Sequence, residues 1–311
     1  MRRVFIYGAG RVGRCLGRAI EDHGEAHGLS LIGAWNRSFR RAFETSQILD
    51  IEVSSGDVLP DALPRADVII LSVTDDAIAE TSRALGRHLS PRQCLLHTSG
   101  SLASTIMRAD ETRAALGGCH PLQSIPRDDG DYALLRGATF AVEGDPDAQE
   151  AARLIARAAG GEPITIRPEG KVHYHAAAVI SANYTTVLAD VARVLYEEAG
   201  LDARVAVKTL LPLLRGTLQN LEDAVLAAEE GQGAEALAST LTGPVRRGDA
   251  RTVKRHLKAL RKLDRDAPNE GELAALYQIL GRRAATLAQR TGLAADQLEA
   301  VERALGREAD S

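Results

Sequence analysis

The sequence predicts an α/β protein: a doubly wound, mostly parallel sheet over residues 1–168, then an all-α region over 169–311. Three observations carry this expectation. Up to Pro168, short apolar runs alternate with helical stretches, the pattern of right-handed β-α-β crossovers. The first run breaks into Gly8-Ala9-Gly10-Arg11-Val12-Gly13, which has the G-x-G-x-x-G spacing. Beyond Pro168 strand signals stop and only helical periodicity remains.

Arg2–Tyr7 reads as the first strand, and Arg14 to about His23 as a helix with Val12, Leu16 and Ile20 on one face. Leu29–Trp35 is a second strand ending in Asn36-Arg37-Ser38. A helix is expected to about Leu49, then a short strand over Ile51–Ser54. Ala66–Val73 is a continuous apolar run of the buried parallel type, closed by Thr74-Asp75-Asp76. Asp76 is expected to cap a helix over Ala77–Leu85. Gln93–Leu96, Leu116–Cys119, Thr139–Val142 and Pro163–Ile166 complete the strands, with a helix from Pro146 to Ala159. The helical region is expected to hold one long helix over Gly170–Ala199 and a second over Ala203–Glu230 with a kink at Pro212. After them come a short helix over Ala234–Leu241, a turn over Thr242–Asp249, and helices over Ala250–Leu263 (capped by Asp249), Glu270–Arg290 and Ala294–Leu305.

The first strand, turn, helix and second strand form the unit in which a G-x-G-x-x-G turn binds a dinucleotide, as in a Rossmann domain. Gly8 lets the chain turn off the strand, Gly10 admits a pyrophosphate, and Gly13 lets helix and strand approach. The amides around Ala9, Arg11 and Val12 then face the phosphates at the positive end of the helix. After the second strand an NAD site usually carries a carboxylate for the ribose 2′-hydroxyl. Here Asn36, Arg37 and Ser38 stand there, and a guanidinium suits a 2′-phosphate. NADP is therefore expected over NAD, with Val73 and Thr74 at the carboxyl end of a neighbouring strand and Ser99 after the next one also facing the cofactor. An exposed basic loop is the other reading of these arginines.

Four further clusters could carry chemistry. His97-Thr98-Ser99-Gly100 and His120-Pro121 follow strands at the sheet edge where open α/β sheets bind ligands. Each imidazole is either an acid, base or carboxylate partner, or a hydrogen-bonded structural residue. In the stretch Gly170–Tyr184, helical spacing puts Lys171, His175, Ala178 and Ala182 on one face with Asn183 at its edge. Lys171 would polarise a carbonyl or bind a carboxylate and His175 would give a proton; helix packing with a surface lysine is the alternative. Arg246 and Arg247 suit an anion or an exposed linker.

A length of 311 residues allows two domains, and 45% hydrophobic content is that of a globular chain. A net charge of −4 gives no basic field for nucleic acid, and no apolar run is long enough to span a membrane. The first strand begins within a few residues of Met1, so no signal peptide is expected. Cys15, Cys94 and Cys119 lack metal spacing and read as reduced, packed thiols of a cytoplasmic protein.

The segments GAGRVG, ADVIILSVTDDAI, LLHTSG, HPLQS, KVHYHAAAVISANY and LTGPVRRGD together resemble the bacterial Rossmann-like proteins that carry a C-terminal domain of unknown function 2520. That family is similar to the wider 6-phosphogluconate dehydrogenase-like group, which includes ketopantoate reductase, pyrroline-5-carboxylate reductase, 3-hydroxyisobutyrate dehydrogenase and prephenate dehydrogenase. The resemblance implies an NADP-binding Rossmann domain and a C-terminal domain of the 6-phosphogluconate dehydrogenase type, which often builds a homodimer. It names no substrate. Some relatives carry a Lys-x-x-x-Asn pair on the first long helix; here Lys171 fits, His175 stands at the Asn position, and Asn183 lies further on. The expectation is an NADP-dependent oxidoreductase that moves hydride to or from a small carboxylate-bearing carbonyl, hydroxy or imino compound. Lys171, His175, His120 and Asn183 are its candidate catalytic residues. The alternatives are an NADP(H)-binding regulator or scaffold without turnover, and a helical dimer with a vestigial nucleotide site.

Overall fold

In a computed structural model, which describes residues 1–126, 129–266 and 272–306, strand β1 (Arg2–Tyr7) runs into the glycine turn and helix α1 (Arg11–His23) begins inside it. The helix starts three residues before Arg14, because extended Gly10 already serves as its N-cap. The other strands are β2 (Leu29–Asn36), β3 (Val53–Ser55), β4 (Val68–Leu71), β5 (Cys94–His97), β6 (Ala115–Pro121), β7 (Thr139–Gly144) and β8 (Glu162–Thr165). They form one eight-stranded sheet in the order β3-β2-β1-β4-β5-β6-β7-β8. Every neighbouring pair is parallel except β6 and β7.

The order reverses direction at β1 and β4, the switch point where such sheets open a crevice at their carboxyl ends. Val4, Ile6, Val68 and Ile70 face one core with Leu16, Ile20 and Ile155; Phe5, Ile69, Leu71 and Leu95 face the other. Helices α2 (Phe39–Ser46), α3 (Asp75–Gly86) and α4 (Pro146–Ala158) complete this layer.

The chain divides into two compact units, 1–184 and 185–311. The first includes α5 (Lys171–Ala178), so the segment carrying Lys171 and His175 packs with the sheet. The single helix expected over Gly170–Ala199 is interrupted: α-helical bonding widens to a π-type turn over Val179–Asn183 before α6 (Tyr184–Glu198). The second unit continues with α7 (Ala203–Ala227), α8 (Gly233–Ser239), α9 (Gly243–Arg246), α10 (Ala250–Asp266), α11 (Leu273–Arg290) and α12 (Ala295–Ala304). Its core is built by Val245, Val253, Leu257, Leu260, Leu273, Ala285 and Val301. Pro212 lies inside α7 without ending it. The expected turn at Thr242–Asp249 contains the helical turn α9, with proline at its start, and Asp249 caps α10 by accepting from Thr252 N at 3.0 Å. The start expected for the following helix at Glu270 lies outside the described residues. Among the described residues no helix is long and apolar enough to cross a membrane.

Several boundaries differ from expectation for local reasons. Helix α3 begins at Asp75, after Thr74, so Asp76 sits in its first turn beside the helix dipole rather than capping it. His97 and His120 fall within strands β5 and β6 rather than after them. His97 is fully buried, and burial pushes its imidazole down to about 3, with the Lys171 charge acting in the same direction.

That burial has a pH consequence. Below about 6.5 the unfolded chain takes up a proton that folded His97 refuses until about pH 3. Folding free energy should therefore fall as pH drops through that window, by up to about 1.4 kcal/mol per pH unit for this residue, and be restored as pH rises. Denaturant unfolding of the wild type and His97→Asn between those limits checks it: the variant should show the shallower slope. Equal slopes would contradict it.

Candidate functional site

The glycine turn has a defined reason at each bare position. Gly8 has φ +90°, and a Cβ there would stand 2.5 Å from Val73 Cγ1. A Cβ on Gly13 would stand 3.1 Å from the Gly8 carbonyl oxygen, so helix and strand could not meet as they do. A Cβ on Gly10 would meet nothing within 4 Å, which leaves its backbone open to a ligand. The Gly8 and Ala9 amides donate to Trp35 O at 2.8 and 3.3 Å, and the Gly10 amide donates to Gly8 O at 2.8 Å. The first α-helical bond is Arg14 N to Gly10 O, so the Arg11, Val12 and Gly13 amides are left for an anion.

The end of β2 divides the three residues expected to read the ribose. Asn36 is buried, donates from Nδ2 to Ala9 O at 3.1 Å, and accepts at Oδ1 from Thr45 Oγ1 at 3.1 Å. Its side chain is spent on holding the glycine turn to α2. Ser38 caps α2 by accepting from Arg41 N at 3.4 Å. Arg40 and Arg41 both pair with Glu44, at 3.4 and 3.1 Å. Arg37 is exposed and forms no hydrogen bond or ion pair among the described residues, which leaves it as the free guanidinium of this loop. Buried Arg14 ties the loop down through Thr45 Oγ1 at 3.1 Å and Arg41 O at 3.3 Å.

A cleft of about 850 Å³ opens at the carboxyl edge of β1, β4, β5 and β6. Gly10, Arg11 and Val12 line it, with Val73, Thr74 and Asp75 from the β4 end and Ser99 and Gly100 from the β5 end. His120 from β6 and Tyr174, His175, Ala178, Ala182 and Asn183 from the segment after β8 line it too. The π-type turn lets Ala182 and Asn183 both reach the cleft, a role such widened turns often serve. The structure thus brings the expected cofactor turn together with three of the four expected catalytic side chains.

His120 and His175 stand with ring centroids 6.2 Å apart, nearly perpendicular. Gly100 lies between them: a Cβ there would be 2.7 Å from His175 Nδ1 and 2.8 Å from His120 Nε2. His120 Nδ1 shares a hydrogen bond with Tyr174 Oη at 3.3 Å. Burial, then the charge of Lys171, pushes His120 down to about 4, so it is a neutral ring at pH 7. Burial pushes the Tyr174 phenol up to about 12, so it keeps its proton. His175 Nδ1 is buried and has no hydrogen-bond partner among the described residues.

Lys171, the fourth, is 1% exposed and does not line the cleft. Its Nζ donates to Ser99 O at 2.6 Å. Ser99 is fully engaged: its amide donates to His97 Nδ1 at 3.1 Å and its hydroxyl to Asp75 Oδ2 at 2.9 Å. Sequence reasoning passed over Glu143, which is fully buried at the end of β7, 3.9 Å from Lys171 Nζ. It also gave no role to Asp75 or Tyr174. A carboxylate ending the otherwise apolar run Thr139–Val142 was the available signal for Glu143.

Comparison with known proteins places these features in context. No curated protein matches the chain by sequence. Among solved structures, protein TM1727 from Thermotoga maritima is similar with a TM-score of 0.66 at 22% identity, over 93% of this chain and 99% of that one. An imine reductase from a Pseudomonas species gives 0.60 at 18% identity, over 93% and 98%. Plasmodium falciparum pyrroline carboxylate reductase, solved with NADP bound, gives 0.56 at 12% identity, over 97% and 98%. At these identities the likeness speaks for the fold. A Rossmann-like domain model matches residues 2–124 and the domain of unknown function 2520 matches residues 138–284. The chain therefore joins a Rossmann-like domain to a domain of unknown function 2520.

Proposed function

We propose that this chain is an NADP-dependent oxidoreductase acting on a small carboxylate-bearing carbonyl, hydroxy or imino compound. The observation that carries the reading is that the glycine turn and a group of proton-carrying side chains line one cleft. The free amides of Arg11 and Val12 would take the pyrophosphate, and the open face of Gly10 gives it room. Arg37 would pair with a 2′-phosphate. The cofactor named for the Plasmodium structure agrees with this choice. When bound, the nicotinamide supplies or takes up a hydride.

The chain's own residues would do the rest. His175, whose side chain lines the cleft, would hold the proton that moves to or from the substrate oxygen or nitrogen. Neutral His120 and Tyr174 would orient the substrate by hydrogen bonds, with Asn183 beside them. Arg11, whose Nη1 donates to Ile125 O at 3.2 Å, is the cation in the cleft lining that a carboxylate or phosphate would meet. Lys171 would act from behind, by fixing Ser99. The buried thiols Cys15, Cys94 and Cys119, none of them in a disulfide, support a reducing, cytoplasmic setting.

One observation favours the rival reading of an NADP(H)-binding regulator without turnover: Lys171 is turned away from the cleft. Turnover separates the two. NADPH should bind more tightly than NADH in a fluorescence titration, and Arg37→Ala should weaken NADPH about tenfold, the worth of one charge-assisted contact, while leaving NADH unchanged. With a panel of oxo- and imino-acids, loss of NADPH absorbance should depend on one of them. His175→Ala should then lower kcat by about 10²–10⁴ with NADPH affinity retained. Binding without any oxidation would support the regulator.

A homodimer through the C-terminal helices belongs to the same reading. It is supported by large apolar side chains left exposed along α6 and α7, among them Val187, Leu211, Leu213, Leu218 and Leu226. Sedimentation at micromolar concentration should give twice the chain mass, and Leu213→Glu with Leu218→Glu should halve it. A wild-type monomer would contradict the dimer.

A further inference from the structure

We infer that Glu143 is a positioning residue for the cleft: from behind it, its carboxylate holds the Lys171 ammonium against the Ser99 carbonyl and so fixes the turn that separates His120 from His175. The inference rests on the reading of the cleft as the reacting site.

The geometry builds outward from one buried carboxylate. Glu143 is 0% exposed. A carboxylate so placed must be compensated within the protein. Two donors come from a single residue: Ser104 N to Oε1 at 2.9 Å and Ser104 Oγ to Oε2 at 2.8 Å. The cation is Lys171, whose Nζ lies 3.9 Å from Oε1. Space for the pair is made by β6, where Gly118 stands in register with Glu143; a Cβ there would be 2.5 Å from Oε1 and 3.1 Å from Lys171 Nζ.

From Lys171 the chain of contacts runs into the cleft wall. Its ammonium binds Ser99 O at 2.6 Å, which leaves the Ser99 hydroxyl for Asp75 and the Ser99 amide for His97. With His97 Nδ1 accepting, the proton of its neutral ring sits on Nε2, 3.8 Å from Glu143 Oε1. Gly100, the next residue, fills the gap between the two imidazoles of the cleft. A shift of the Ser99 carbonyl would move Gly100 against both rings. Lysine at this site therefore serves geometry, and the glutamate keeps it charged and in place.

The groups that face Lys171 are Glu143, the Cys119 thiol and Asp75, which favour its charge, and the His97 and His120 rings. Burial outweighs the first three and holds Lys171 below its ordinary 10.5. Titration of the full chain with ¹³C-labelled lysine, read by NMR, tests the role, because a residue that merely filled space would not alter that titration. Glu143→Gln should lower the Lys171 midpoint by at least about one unit, a tenfold weaker hold on the proton. Glu143→Asp, which keeps the charge but withdraws it, should give a smaller fall, and it serves if the glutamine variant does not fold. An unchanged Lys171 midpoint in either folded variant would overturn the inference. NADPH titration of the same samples separates the two levels: absent binding in the wild type sinks the functional reading, whereas retained binding with an unmoved lysine sinks only the role of Glu143.

Discussion

An ammonium group buried to 1% exposure has no water to solvate it, and the arrangement around Lys171 follows from that constraint. Its hydrogen-bond acceptor is the Ser99 carbonyl, and its counter-charge is Glu143. Glu143 in turn needs Ser104, and needs Gly118 on the neighbouring strand to leave room. The antiparallel pairing of β6 with β7, in a sheet otherwise parallel among the described residues, is what sets Gly118 opposite Glu143. Sheet topology, a buried ion pair and the wall of the cleft are thus links of one chain of physical dependence. Such a pair is weak evidence for stability, since well-packed apolar residues would often do as well or better.

The frame of this fold and the glycine turn were legible in the sequence because both depend on local rules. Gly8, Gly10 and Gly13 are spaced by the geometry of one turn, and Ala66–Val73 is apolar because both faces of a central strand are covered. Lys171 and His175 were picked out together by helical spacing, and they do share a short helix. Where they point is a tertiary matter. Lys171 turns inward because Glu143 awaits it some thirty residues earlier in the chain, on a strand whose boundary is hard to read. Asn36 shows the same limit: at the end of a second strand it has the look of a ribose contact, yet Thr45 and the Ala9 carbonyl take its amide. The π-type turn at Val179–Asn183 has no local signature in an alanine-rich helix, so one helix was read where bonding changes.

The electrostatics of the cleft bear on the kind of substrate it can receive. A site with two protonated imidazoles and a lysine would be a strong anion trap. Here burial and the nearby Lys171 charge keep His120 neutral, and Lys171 itself is withdrawn behind the wall. The cleft wall then offers hydrogen bonds through a neutral His120 and a Tyr174 that keeps its proton. Neutral donors and acceptors suit a polar group that changes its protonation during reaction, as a carbonyl or imine does. Asp75, held by the Ser99 and Ser101 hydroxyls at 2.9 and 2.7 Å, adds a carboxylate at one side of the same opening. Arg11 lies on the glycine side of the lining and His120, Tyr174 and His175 on the other, so the two ends of the cleft differ in chemistry. The distance between those ends is set by the sheet, because β1 and β6 are separated by β4 and β5. A ligand long enough to touch both must therefore lie across the carboxyl edges of these strands, which is how a dinucleotide lies when its pyrophosphate is at the first turn.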